Sequence, residues 1–156
     1  GALSLFCHPF WETADGFDIH EDVTRYLLDH RRFDALEVIG GYWPHEYRDN
    51  LFQTAYYYQY CMGAGSLLPL MGCSDCHSTD SGLFTGLFYS IVFAEDNTFE
   101  AIAGAVRAGR SVAVKALPGQ MPEAFGDFRY VRLCAFLFGR VFPGHDRICE
   151  EEASIS

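Results

Sequence analysis

The sequence predicts an α/β fold with a mainly parallel sheet. Short apolar runs of strand length alternate with amphipathic stretches of helical spacing. The two motifs richest in chemistry, Cys7-His8-Pro9 and Gly72-Cys73-Ser74-Asp75-Cys76-His77-Ser78, each follow directly on an apolar run. In α/β barrels, reactive groups sit at strand ends and in the loops after them. No internal repeat, low-complexity tract or linker breaks the pattern, which fits one domain or part of one.

The first strand is Leu3-Ser-Leu-Phe-Cys7, and it starts with no cap or preceding element. On that ground the sequence reads as a piece of something longer, with Gly1 left over from a tag. Glu21 to Arg32 sets Val23, Tyr26, Leu27 and His30 at helical spacing, and Asp34 to Ile39 forms the next strand before a Gly40–Gly41 break. Asp49 to Cys61 is a tyrosine-rich helix in which Tyr56, Tyr57, Tyr58 and Tyr60 serve as a packing face. Met62 to Ser66 turns the chain, with Gly63 and Gly65 as turn residues, into a strand over Leu67 to Cys73.

Tyr89 to Ala94 is a further strand. Asn97 then caps a helix with Glu100 three residues on; Phe99, Ile102, Ala103 and Val106 make its apolar face, and Gly109 supplies a left-handed end. Ser111 to Ala116 is a strand, Pro118 and Pro122 mark a loop, and Phe128 to Phe142 is apolar on nearly every side except Arg129, Arg132 and Arg140. Such a helix is deeply buried or covers a partner surface. Glu150 to Glu152 form a solvated turn.

With 49% hydrophobic residues in 156, the chain can bury a sizeable core. A formal charge of −10 and a pI near 4.8 leave no basic footprint, which disfavours nucleic acid as a partner. Six cysteines are scattered through apolar stretches, as in reduced thiols. No apolar run approaches the roughly 18 residues of a membrane span, and no export signal is visible. The expected location is the cytoplasm, with no membrane association.

Asp75 and His77 lie two residues apart and point to one side of an extended backbone, offering a carboxylate and an imidazole suited to Zn, Mn or Fe. A turn in which Asp75 caps the next segment fits the spacing equally well. Cys73-Ser-Asp-Cys76-His77 also matches the attachment pattern for c-type haem, but it follows a buried strand in a chain with no export signal, so no haem is expected. Zinc held by Cys73, Cys76 and His77 would need more ligands. A histidine at a strand end, like His8, is weak evidence alone. Glu37 stands inside the apolar run Ala-Leu-Glu-Val-Ile, where an unpaired carboxylate is costly; it supports the site from behind or belongs to a buried ion pair. His20, His30 and His45 show no partner pattern.

In order and spacing, Leu5-Phe-Cys-His8-Pro9, Phe33-Asp-Ala-Leu-Glu37-Val-Ile39 and Leu67-Leu-Pro-Leu-Met-Gly-Cys-Ser-Asp75-Cys-His77-Ser78 resemble the C-terminal half of PHP (polymerase and histidinol phosphatase) domains. The helix from Phe99 and its Gly109-Arg110-Ser-Val ending continue the resemblance, which spans residues 3 to 116. It implies an α/β fold that is the C-terminal part of a distorted (β/α)7 TIM-like barrel. Residues 1–116 would be the barrel portion, and 117–156 a helical extension packed on the barrel or on a partner.

The resemblance further implies catalysis by a cluster of divalent metal ions, Mn, Zn or Fe, which activates water to hydrolyse phosphate esters. His8, Asp75 and His77 would be metal ligands and the catalytic group, Glu37 would support them, and Arg110 would contact the substrate phosphate. The substrate would be a small phosphate ester or a nucleotide. The family's early His-x-His motif is absent from this sequence. Three ligands cannot build a multinuclear cluster, so the chain is expected to be part of a metal-dependent phosphoesterase and incomplete as a catalyst by itself. The alternative is a non-catalytic binding or dimerisation module. Half a barrel exposes sheet edges and apolar helix faces, so a second copy or an N-terminal half is the expected partner.

Overall fold

Three short parallel strands carry the part of the fold that positions the site. In this computed structural model, which describes residues 2–13, 16–41, 47–78, 87–117 and 119–154, β1 (Leu5–Phe6), β4 (Ala35–Ile39) and β5 (Leu70–Gly72) form a sheet in the order β1-β4-β5. Between β1 and β4 lie a hairpin, β2 (Glu12–Thr13) with β3 (Gly16–Phe17), and helix α1 (Glu21–Asp29). Helix α2 (Tyr47–Ala64) joins β4 to β5. Every residue of β4 is buried, as befits a central strand covered on both faces. His45 and Pro118 lie outside the described residues.

The second sheet departs from the expected parallel arrangement. β6 (Phe88–Val92), β7 (Ser111–Lys115) and β8 (Glu123–Gly126) are antiparallel, with α3 (Phe99–Arg107) between β6 and β7. Val92 pairs with Ser111, so the end of one strand lies beside the start of the next. The six residues before α3 allow the chain to come back on itself, and the helix does not act as a parallel crossover. β8 occupies part of what reads in sequence as a proline loop. The result is a mixed α/β fold of one small parallel sheet and one antiparallel sheet, and among the described residues the strands do not close into a barrel.

The sheets meet at Gly72. A β-carbon there would stand 2.9 Å from the Tyr89 carbonyl oxygen and 3.1 Å from both Ala113 Cβ and Ile39 Cγ1. Ser90 Oγ donates to the Gly72 carbonyl at 2.8 Å and accepts from its N–H at 2.9 Å. β7 is then buried from both sides: Ala113 joins the main core with Phe6, Leu28, Leu36, Tyr57, Leu70 and Phe88, while Val112 and Val114 face Cys134 of α4 (Phe128–Phe136). A five-residue π-helical segment, Leu137–Val141, links α4 to α5 (Phe142–Ala153). Pro143 lacks the N–H that an α-helix would direct at Gly139, and the wider π turn accommodates the missing bond.

Two helix details differ from the sequence expectation. In α1 the core-facing residues are Thr24 and Leu28, whereas Val23 and Tyr26 remain 49% and 52% exposed. Tyr26 instead stacks on His30 outside the helix end, ring centroids 4.1 Å apart. In α3 the cap is Thr98, whose hydroxyl accepts from Ala101 N–H at 3.3 Å; Asn97 turns its N–H to Asp96. The far end closes with Gly109 at φ +69°, where Gly109 N–H donates to Val106 and Arg110 N–H to Ala105. Thr98→Ala is expected to lower stability by about 1 kcal/mol and Asn97→Ala by almost nothing, as read by urea unfolding. The reverse ranking would return the cap to Asn97.

Candidate functional site

The C-terminal ends of β1, β4 and β5 surround a small open cavity whose wall includes His8, Trp11, Glu37, Gly40, Asn50 and Asp75. Each strand contributes one group: His8 follows β1, Glu37 lies within β4, and Asp75 comes three residues after β5. The pairing of β4 with β5 skips a residue between Glu37 and Ile39, a bulge that bends the strand beside the cavity.

Glu37 is the centre of this arrangement. It is 2% exposed, and its Oε2 accepts the His8 backbone N–H at 3.0 Å. Burial pushes its carboxyl up to about 7, against the downward pull of the nearby His8 charge and of that N–H bond, while Asp75 adds an upward push. Burial first, and the Glu37 charge second, push the Cys7 thiol up to about 11 and the Cys73 thiol further still. Both thiols are therefore protonated at neutral pH and are not nucleophiles.

Backbone strain gathers at the same place. His8 and Asp75 are two of the three described non-glycine residues with positive φ, at +28° and +51°. Each costs roughly 1–2 kcal/mol in that region. The Nδ1 of His8 is buried and has no hydrogen-bond partner among the described residues. The indole of Trp11 meets the His8 ring edge to face at 5.2 Å, and the backbone N–H of Trp11 donates to the His8 carbonyl.

Helix α2 holds the cavity from behind with polar side chains that the sequence reading passed over. Asn50 clamps Gly40 from both sides, its Oδ1 accepting the Gly40 N–H at 2.7 Å and its Nδ2 donating to the Gly40 carbonyl at 2.6 Å. Gln53 donates to the Glu37 carbonyl at 2.7 Å, and Thr54 donates to the carbonyls of Asn50 and Val38. The buried stripe of α2 runs Asn50, Gln53, Thr54, Tyr57, Cys61, polar at its start and apolar at its end. The signal in the sequence is helical spacing of three polar residues; the aromatic run Tyr56 to Tyr60 obscures it.

The structure thus brings His8, Glu37 and Asp75 together. His77 lies just outside, 76% exposed, with Nε2 2.9 Å from Asp75 Oδ1. Arg110 is elsewhere: it precedes β7, whose Ser111 bonds the Leu70 carbonyl at the opposite end of β5, and its guanidinium pairs with Glu95 at 3.1 Å. Among the described residues, no three His, Cys, Asp or Glu side chains gather closely enough to hold a metal ion. No helix is long and apolar enough to cross a membrane among those residues.

Fold and site define a mixed α/β protein with a desolvated carboxylate, an orphaned buried imidazole nitrogen and a second carboxylate at the ends of parallel strands. No known protein family matches the sequence, and no curated protein matches it. Among solved structures the chain is similar, at 20% identity and a TM-score of 0.47, to a two-domain protein from Bacteroides vulgatus described as containing a predicted PHP-like metal-dependent phosphoesterase. The similarity covers 70% of this chain and 30% of that one, so the chain spans less than a third of that protein's length.

Proposed function

We propose that this chain supplies one wall of a metal-dependent phosphoesterase centre, acting on a small phosphate ester or a nucleotide. The single observation that carries the reading is the buried, unpartnered Nδ1 of His8, held in a strained backbone beside Glu37 and Asp75. An orphaned buried nitrogen costs roughly 1–3 kcal/mol, and a divalent cation such as Zn, Mn or Fe is a natural partner for imidazole and carboxylate together. The fit is that of a half-site. His8 and Asp75 would be ligands, and His77 a third once it swings off its bond to Asp75. When bound, the metal supplies Lewis acidity and a water of lowered pKa.

Within this chain, Glu37 is committed to the His8 N–H and is out of reach of solvent. It therefore fixes the backbone from which the His8 imidazole projects and is not the general base. Arg110 plays no part in this cavity. The residues 1–116 and 117–156 are proposed as the two parts of the chain, the first bearing the site.

A second reading, a non-catalytic binding module, is favoured by the lack of any three converging ligands among the described residues. Elemental analysis after incubation with Mn, Zn or Fe(II) separates the two. About one ion per chain is expected for the native protein, and near zero for His8→Ala and for Asp75→Ala. A native chain that retains none of the three ions would sink the metal reading.

A further inference from the structure

The helix that ends the chain presents an apolar stripe to solvent. Leu133, Phe136, Val141 and Ile148 are 42%, 56%, 42% and 56% exposed, and no residue of α5 is buried. The spacing is three residues from 133 to 136, then five across the π segment, then seven. A π turn absorbs about one extra residue, so the five-residue step keeps one face. Cys134 turns away from this face into the core. The stripe is therefore a seam from Leu133 to Ile148, about 22 Å at 1.5 Å per residue, within a longer helical stretch from Phe128 to Ala153.

Charge is polarised along the same helix. The end nearest β8 carries Arg129 and Arg132, and the far end carries Asp146, Glu150, Glu151 and Glu152 against the single cation Arg147, so it is net acidic. Arg132 and the three glutamates have no ion-pair partner among the described residues, while Arg129 pairs only with its neighbour Asp127. We propose that this helix is a self-association surface whose occupant is the same helix of a second copy, running antiparallel. Only that direction sets the basic end of each copy against the acidic end of the other, and a two-fold axis makes the match twice.

Placing the axis near residue 140 sets Phe136 over Gly144 of the other copy, where the missing side chain leaves room for the ring, and sets Arg129 and Arg132 beside Ile148 to Glu152. Arg140 falls near the axis, and its long stem can cover apolar surface while its guanidinium reaches water. A parallel pair would bring like charges together at both ends. With ten net negative charges per chain, association without this matching would be opposed by overall repulsion.

The test is sedimentation equilibrium of the 156-residue chain from 1 to 200 µM at low and high salt. A dimer is expected, weakened at least several-fold by 1 M salt. Phe136→Glu, which alters an exposed side chain, is expected to give a monomer with an unchanged circular dichroism spectrum. Arg132→Glu alone and Glu151→Lys/Glu152→Lys alone are each expected to weaken the dimer at least tenfold, and an equimolar mixture of the two is expected to restore it as a heterodimer. A monomer at 200 µM overturns the proposal. So does a dimer indifferent to Phe136→Glu, or a mixture that stays monomeric while each variant is folded.

Discussion

Gly40→Ala is expected to destabilise the chain by about 3 kcal/mol and to abolish metal retention, although it adds a single methyl group. A β-carbon at Gly40 would fall on Oε1 of Glu37 and stand 3.1 Å from the Cys73 carbonyl oxygen. A carboxylate at the end of a flexible side chain ordinarily swings aside. Glu37 cannot, because it is buried and its other oxygen holds the His8 N–H. Moving Gly40 instead would break both of its bonds to Asn50. Overpacking of this kind costs roughly 1–3 kcal/mol, and a buried donor or acceptor left unpaired adds a similar amount.

Two controls make the result specific. Gly104→Ala, on the exposed side of α3 with open space around it, is expected to be neutral or to stabilise by up to about 1 kcal/mol. In a Glu37→Ala background the Gly40→Ala change is expected to cost much less, because the atom it strikes is gone. Additive costs in urea unfolding would show that Gly40 and Glu37 are not in conflict.

The second large effect is in pH. Glu37 has a folded pKa raised to about 7 from an ordinary 4.5, so between these values the folded chain binds more protons than the unfolded one. Stability from this group is full below about pH 4.5 and is lost as pH rises through 7. The loss from pH 4.5 to 8 is about 3 kcal/mol at 1.36 kcal/mol per unit. Glu37→Gln keeps an oxygen for the His8 N–H and removes the titration, so its stability is expected to stay flat over the same interval relative to the native chain. Denaturant midpoints at pH 5, 6, 7 and 8 measure this. Parallel curves for the two proteins would place the ionised carboxylate in a polar setting and remove the desolvation argument. Metal binding to the cavity would oppose the trend, so the experiment is run with chelator present.

Asp34 acts in the opposite sense. The Arg107 guanidinium beside it, with help from Ser4, holds its carboxyl well below the ordinary carboxylate range. Its contribution is lost only on acidification, outside the window in which Glu37 titrates, and the two effects separate cleanly.

Much of the local structure is legible in the residues. The run Ala35 to Ile39 is apolar and β-branched enough to be a central strand, Gly109 can end a helix in the left-handed region, and the alternation Val112, Ala113, Val114 serves a strand covered on both faces. The position of His8 and Asp75 after strands is also legible, because an apolar run that stops at a polar motif marks a strand end. Other features depend on distances between residues far apart in the chain. Whether β7 runs parallel or antiparallel to β6 is decided by how the loop before α3 returns, and a strand-helix-strand pattern is silent on that. Asn97 is the cap that local preference favours, and the structure places the cap at Thr98 instead.

By itself the sequence determined the segments that become β1, β4, β5, β6 and β7 and helices α1 to α3, with the polar residues after β1 and β5, since these follow from local periodicity and backbone preference; it left the β2–β3 hairpin, β8 and α5 unread. Only the tertiary structure decided that Asn50 grips Gly40, that Gly40 must lack a β-carbon for Glu37, and that His8 Nδ1 is left without a partner. Those facts arise where β1, β4, β5 and α2 converge: Asn50 reaches Gly40 across 10 residues and Glu37 reaches His8 across 29, and it is this second bond that pins Glu37 against Gly40, so none of them has a local signature.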